Sequence, residues 1–132
     1  MGRKCGGCPR IEKEKRNVCQ RFRPARADEN RDAYIASART GWALFKEYGA
    51  LSMMENWGDM VPDGKQTDFH RAVAREDGES VVFSWVLWHD KATADACFAT
   101  METDERWQQI DMPFDGKRMI YGGFETVFEG TA

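Results

Sequence analysis

From Asn30 onward the apolar and polar positions follow two clean periods. Tyr34, Ala38, Trp42, Phe45 and Tyr48 recur three and four residues apart, the stripe of an amphipathic helix. Asn30 stands where an N-cap belongs, and Asp32 sits in a first turn that favours carboxylates. Gly49 ends the helix as a C′ residue. Residues 50–57 predict a strand, followed by a loop through Asp59, Pro62, Asp63 and Gly64. A short extended piece is expected over 67–74, then a turn at Glu76-Asp77-Gly78-Glu79. Residues 80–88 carry the strongest strand signal. Val81, Phe83, Trp85 and Leu87 share one face, and Val82, Ser84, Val86 and Trp88 the other. Both faces are largely apolar, so both need cover. Asp90 is placed to cap a second helix, in which Ala94, Cys97, Phe98 and Met101 fall on one side. A turn cluster of Pro113, Asp115 and Gly116 then leads into a last strand over 118–128. Gly122-Gly123 within it predicts a bulge or a close backbone approach.

The first quarter breaks this order. Residues 1–27 hold three of the four cysteines and nine of the 19 Lys and Arg, against only Glu12 and Glu14. Their net charge of +7 sits on a body, 28–132, of −10, within a total of −3. This gives two units: an atypical basic, Cys-rich tail over 1–27, expected to be disordered or out of frame, and a folded domain over 28–132. A basic arm suits nucleic acid, but the acidic body would repel a phosphate backbone, so nucleic-acid binding is not expected. Cys5-Gly6-Gly7-Cys8 lacks the four ligands that tetrahedral zinc needs, with only Cys19 nearby and no histidine before His70, so no metal is expected. No apolar run nears the ~20 residues of a bilayer span and no signal-peptide core is visible, which points to the cytoplasm by default.

The element order is (β)αββαβ, an α+β class. Two helices cover one face of a four-stranded sheet; the other face also carries large apolar groups. Packing two such sheets face to face makes a homodimer, the ferredoxin-like dimeric α/β barrel. Five motifs, Asn30-Arg31-Asp32-Ala33-Tyr34, Trp57-Gly58-Asp59, Val61-Pro62-Asp63-Gly64-Lys65, Val81-Val82-Phe83-Ser84-Trp85 and Asp111 through Phe124, resemble the bacterial YbaA-like family over about residues 30–128. That family has no established biochemical function, and the resemblance implies the same barrel fold. It also implies an opening Met and a short apolar strand ending in a Val-Pro-type break. Here the corresponding residues are poor strand material, with Arg21 and Arg23 charged and Gln20 between apolar neighbours. Read one base later, permitted codons for residues 17–28 yield Met-Tyr-Val-Ser-Gly-Phe-Val-Leu-Pro-Val-Pro. Residues 1–27 are therefore expected to be translated out of frame, with the first strand doubtful or replaced by the tail.

The chemistry-bearing candidates are few. His70 has a carboxylate two positions away, Asp68, which on an extended segment shares its face. The pair is a candidate base with its orienting carboxylate, or else a surface histidine on an edge segment. Arg71, Trp85, Arg118 and Tyr121 are candidate ligand contacts, with Trp57 and Trp88 as further aromatic walls. Arg118 with Asp115 suits an anionic substrate, or a salt bridge that pins the turn. Cys97 on an apolar helix face is expected to be an inert thiol. No cofactor motif is present. Two readings follow: a small dimeric barrel that binds a small molecule or partner without catalysis, and a cofactor-independent oxygenase, isomerase or lyase using a pocket near His70. The first carries more weight. An enclosed pocket containing His70 with a perturbed proton affinity would favour the enzyme; a filled barrel with His70 on the rim would favour the binding or structural reading.

Overall fold

The computed structural model describes residues 16–26 and 30–132. A four-stranded sheet is formed by β1 (Asn17–Arg26), β2 (Ser52–Trp57), β3 (Glu79–Trp88) and β4 (Ile120–Glu125), in the order β2-β3-β1-β4. Every adjacent pair is antiparallel. Helix α1 (Arg31–Glu47) joins β1 to β2, and α3 (Lys91–Ala99) joins β3 towards β4. Each crossover skips one strand, the split βαβ arrangement of a ferredoxin-like unit. Among the described residues no helix is long and apolar enough to cross a membrane.

The first strand, doubted from its composition, is formed by those atypical residues themselves. β1 pairs with β3 from Asn17↔Trp88 to Arg26↔Glu79, and with β4 from Asn17↔Glu125 to Phe22↔Ile120. The sheet thus begins before the boundary that composition set at residue 27. Ladder hydrogen bonds are made by backbone groups and are indifferent to side-chain charge, which explains how a polar sequence occupies a central strand. Residues 1–15, with Cys5 and Cys8, lie outside the described residues.

The core sits between the sheet and the two long helices. Leu44, Phe45, Val86, Trp88, Ala94, Cys97 and Trp107 form its main cluster, and Tyr34 with Val82 a smaller one. Helix α3 starts as expected, with the Asp90 side chain accepting from the Thr93 N–H. Helix α1 begins without a side-chain cap from Asn30, and Gly49 leaves it at φ +103°, a conformation natural only to glycine.

Three expectations need correction. Residues 67–74 are not extended. Phe69–Ala72 form one helical turn, α2, because the Asp68 carboxylate accepts from the Arg71 N–H and starts a helix there. The last strand is shorter than 118–128, since Gly116–Arg118 form a 3₁₀ turn capped by Asp115. Gly122-Gly123 makes no bulge: the register with β1 runs unbroken through both. No other backbone approaches either glycine closely: a Cβ on Gly122 would meet only the Phe124 ring of the same strand, at 3.3 Å.

The face of the sheet away from α1 and α3 is apolar and open. Phe22 stacks on Phe83 (ring centroids 5.0 Å) and on Phe69 of α2 (5.4 Å). Pairing puts Trp85 and Leu87 of β3, Met54 of β2, and Ile120 and Phe124 of β4 on this same face. Met54, Ile120 and Phe124 are exposed.

Candidate functional site

On the covered face the alternation of β1 aims Cys19, Arg21 and Arg23 at the helix layer. Beside them stand Met53 and Glu55 of β2. Between these strands, α1 and the segment 107–121 lies a cavity of about 570 Å³. That size suits a small organic ligand, for which ~300–1,000 Å³ is usual. Its walls are mostly apolar, from Phe45, Met53, Phe98, Met101, Ile110 and Phe114. Gly41 contributes room on the α1 side; a Cβ there would touch only the Phe45 ring, at 4.0 Å. The Ser37 hydroxyl donates to the Asp111 carbonyl at 2.5 Å, tying the segment that carries Met112 and Phe114 to α1.

The polar groups gather at one end. Tyr34, on the apolar stripe of α1, donates its hydroxyl to Glu55 Oε2 at 2.7 Å. Burial raises the Tyr34 pKa, and the Glu55 carboxylate adds to this by its negative charge and by accepting the hydroxyl's hydrogen bond. Arg23, only 5% exposed, donates from Nη2 to Ser84 Oγ at 2.7 Å and lies 3.6 Å from Glu55 Oε1. Its guanidinium carbon is 4.4 Å from the Phe114 ring centre and 5.6 Å from that of Tyr34. Arg21 lies 5.4 Å over Phe45. Burial, with the second cation at Arg23, lowers the Arg21 pKa. The Nε atoms of both arginines are buried without a hydrogen-bond partner.

The residues favoured from sequence are mostly elsewhere. Of His70, Asp68, Arg71, Trp85, Arg118 and Tyr121, only Tyr121 lines the cavity, opposite Arg21 across the β1–β4 pair and 75% exposed. His70 Nε2 is 2.8 Å from the Val61 carbonyl, an acceptor, so Nε2 carries the proton. The carboxylate near His70 is Asp63, at 3.9 Å, and not Asp68. In a helical turn residues two apart do not face each other, which separates the expected pair. Asp68 instead accepts from the Arg71 and Gly64 N–H groups, which hold its carboxyl below the usual range. Arg71 donates to the carbonyls of Gly64 and Gln66 and braces the same loop. Trp85 is on the open face of the sheet, away from the cavity.

Arg118 is fully engaged in structure. It donates to both Glu79 oxygens (2.6 and 2.8 Å), to Asp115 (2.9 Å) and to the Ala74 carbonyl (2.9 Å). The turn-pinning reading of Arg118 and Asp115 is the one this geometry realises. Cys97 is buried, and desolvation pushes its thiol up to about 11. Among the described residues no cluster of three or more His, Cys, Asp or Glu is arranged to hold a metal. Arg21, Arg23, Tyr34 and Glu55 were absent from the sequence-based site. The charged residues of β1 were their one visible signal, as arginines on the inward face of a strand need a reason.

The family model described as "Protein of unknown function (DUF1428)" matches residues 22–116. The YbaA protein of Escherichia coli K12 is 48% identical over 103 residues, covering 76% of this chain and 88% of the relative. The Shigella flexneri YbaA matches equally well. Two dimeric ferredoxin-like proteins from uncultured marine organisms share the fold. One has a TM-score of 0.56 at 14% identity, covering 89% of this chain and all of its own; the other 0.53 at 6%, covering 91% and 95%. With a family model matching residues 22–116 and a relative at such identity, the chain belongs to the YbaA-like DUF1428 family.

Proposed function

We propose that this protein is a homodimeric, cytoplasmic small-molecule-binding barrel without demonstrated catalysis, whose ligand occupies the cavity between the sheet and α1. The observation that carries the reading is the cavity itself: about 570 Å³, apolar on most sides, with polar groups converging at one end. Dimerisation is supported by the open apolar face, where Met54, Ile120 and Phe124 are exposed on one side of the sheet, as at interfaces between chains. His70 and Asp68 are not among the residues lining this cavity. A reaction in this barrel would have to use Glu55 and Tyr34 instead.

Gly41→Leu tests the cavity. It places a side chain in the space beside Phe45 and replaces a helix glycine by a better helix former. A neutral apolar probe, 1-naphthalenemethanol, is expected to change the fluorescence of Trp107, which lines the cavity, saturably in the unmodified protein. Gly41→Leu should weaken that binding about tenfold or more, a loss of the size expected when a ligand's volume is taken. Equal binding by both proteins would sink the reading.

A further inference from the structure

We propose that Arg21 and Arg23 form an anion-binding subsite in the cavity, taking an apolar, ring-bearing molecule by a carboxylate or similar oxyanion. The inference rests on the cavity being a ligand site and adds the chemical class of its occupant.

Two guanidinium groups share the neighbourhood of one carboxylate, Glu55, whose Oε2 is already taken by Tyr34. Both Nε atoms are buried donors without an acceptor. Two cations beside one carboxylate leave an excess of positive charge on the cavity wall, so a ligand completing the site must bring negative charge, since a buried cation lacking its counter-charge is costly. A cationic ligand would add repulsion, and a purely apolar one would leave the excess positive charge unbalanced.

Phe114 and Tyr34 cover Arg23, and Phe45 covers Arg21. Rings lying over a guanidinium engage it by cation–π attraction and leave the N–H donors in its plane for other partners. In-plane, paired donors are what a carboxylate meets in a two-point contact, and lysine cannot reproduce them. The surrounding apolar walls then take the ligand's body.

The test compares 1-naphthoate with 1-naphthalenemethanol, an anion and a neutral molecule of nearly the same shape, on the whole chain. The unmodified protein should prefer naphthoate by about ten- to a hundredfold, the range of a charge-assisted hydrogen bond. In Arg23→Met and Arg21→Met that ratio should fall towards one. Arg23→Lys should lie between, and it keeps the question answerable if Arg23→Met does not melt cooperatively. A ratio near one in the unmodified protein, or a preference that survives both methionine substitutions, overturns the subsite alone. Failure of both probes to bind overturns the cavity reading together with it.

Discussion

At the scale of single residues, the carboxylates do mostly structural work. Asp68 and Asp90 cap helices, and Asp115 caps a 3₁₀ turn while pairing with Arg118. Each has its pKa lowered: Asp68 by the Arg71 and Gly64 N–H groups, Asp90 by the Thr93 hydroxyl and N–H, Asp115 by Arg118 and the Lys117 N–H. A depressed folded-state pKa contributes stability that is present above the unfolded value and lost as pH falls through the folded one. The urea midpoint should therefore fall steadily below about pH 4, the ordinary aspartate range. The double variant Asp68→Asn/Asp90→Asn should show a shallower acid loss. A midpoint flat from pH 6 to pH 2.5 would contradict this account. These caps were legible in sequence at Asp90, where a capping residue precedes a clean helical period. At Asp68 they were not: a four-residue helix is too short to display one.

Elements were legible where local rules decide them. Helices α1 and α3 and strand β3 follow from periodicity that matches their burial. The loop between β2 and α2 depends instead on one tight place. A Cβ on Gly64 would fall 2.0 Å from the Thr67 carbonyl oxygen, while the Gly64 N–H donates to Asp68. Gly64→Ala should destabilise the protein by about 2 kcal/mol or more, as steric strain on backbone does, read from chemical denaturation. An unchanged midpoint would mean the loop yields freely. Strand β1 poses the harder question. The out-of-frame reading of residues 1–27 is a proposal about the encoding DNA, and it predicts apolar residues where Arg21 and Arg23 stand. Sequencing codons 15–32 and melting both versions of the protein decides it. If a one-base shift restores an apolar strand and raises the melting temperature, both arginines and their anion subsite belong only to the sequence as given and not to the restored one. If no such shift exists, β1 is a genuine strand with two inward cations.

For the whole molecule, the unbalanced sheet is decisive. Helices α1 and α3 pack on one face, and the other shows Met54, Ile120 and Phe124 to solvent. Met54→Asp/Phe124→Asp should convert a dimer into a monomer by light scattering after size exclusion. A mass unchanged by two inward charges would rule this face out as the interface. The need for cover on both sides was already readable in β3, where Val81 to Trp88 are apolar on both faces, because alternation along a strand is a local property. The same local rules determined the α+β class, the element order and the family motifs. What the tertiary structure decided is the site. Glu55 meets Tyr34 and Arg23 only because β2-β3-β1-β4 is the strand order and α1 crosses that face. Their separations along the chain carry no period, and hydrogen bonds between distant segments depend on register and packing, which no local pattern encodes. His70 and Asp68, close in sequence, were parted by one turn of helix. Arg21 and Tyr34, which no spacing in the sequence links, were brought to one cavity by the fold.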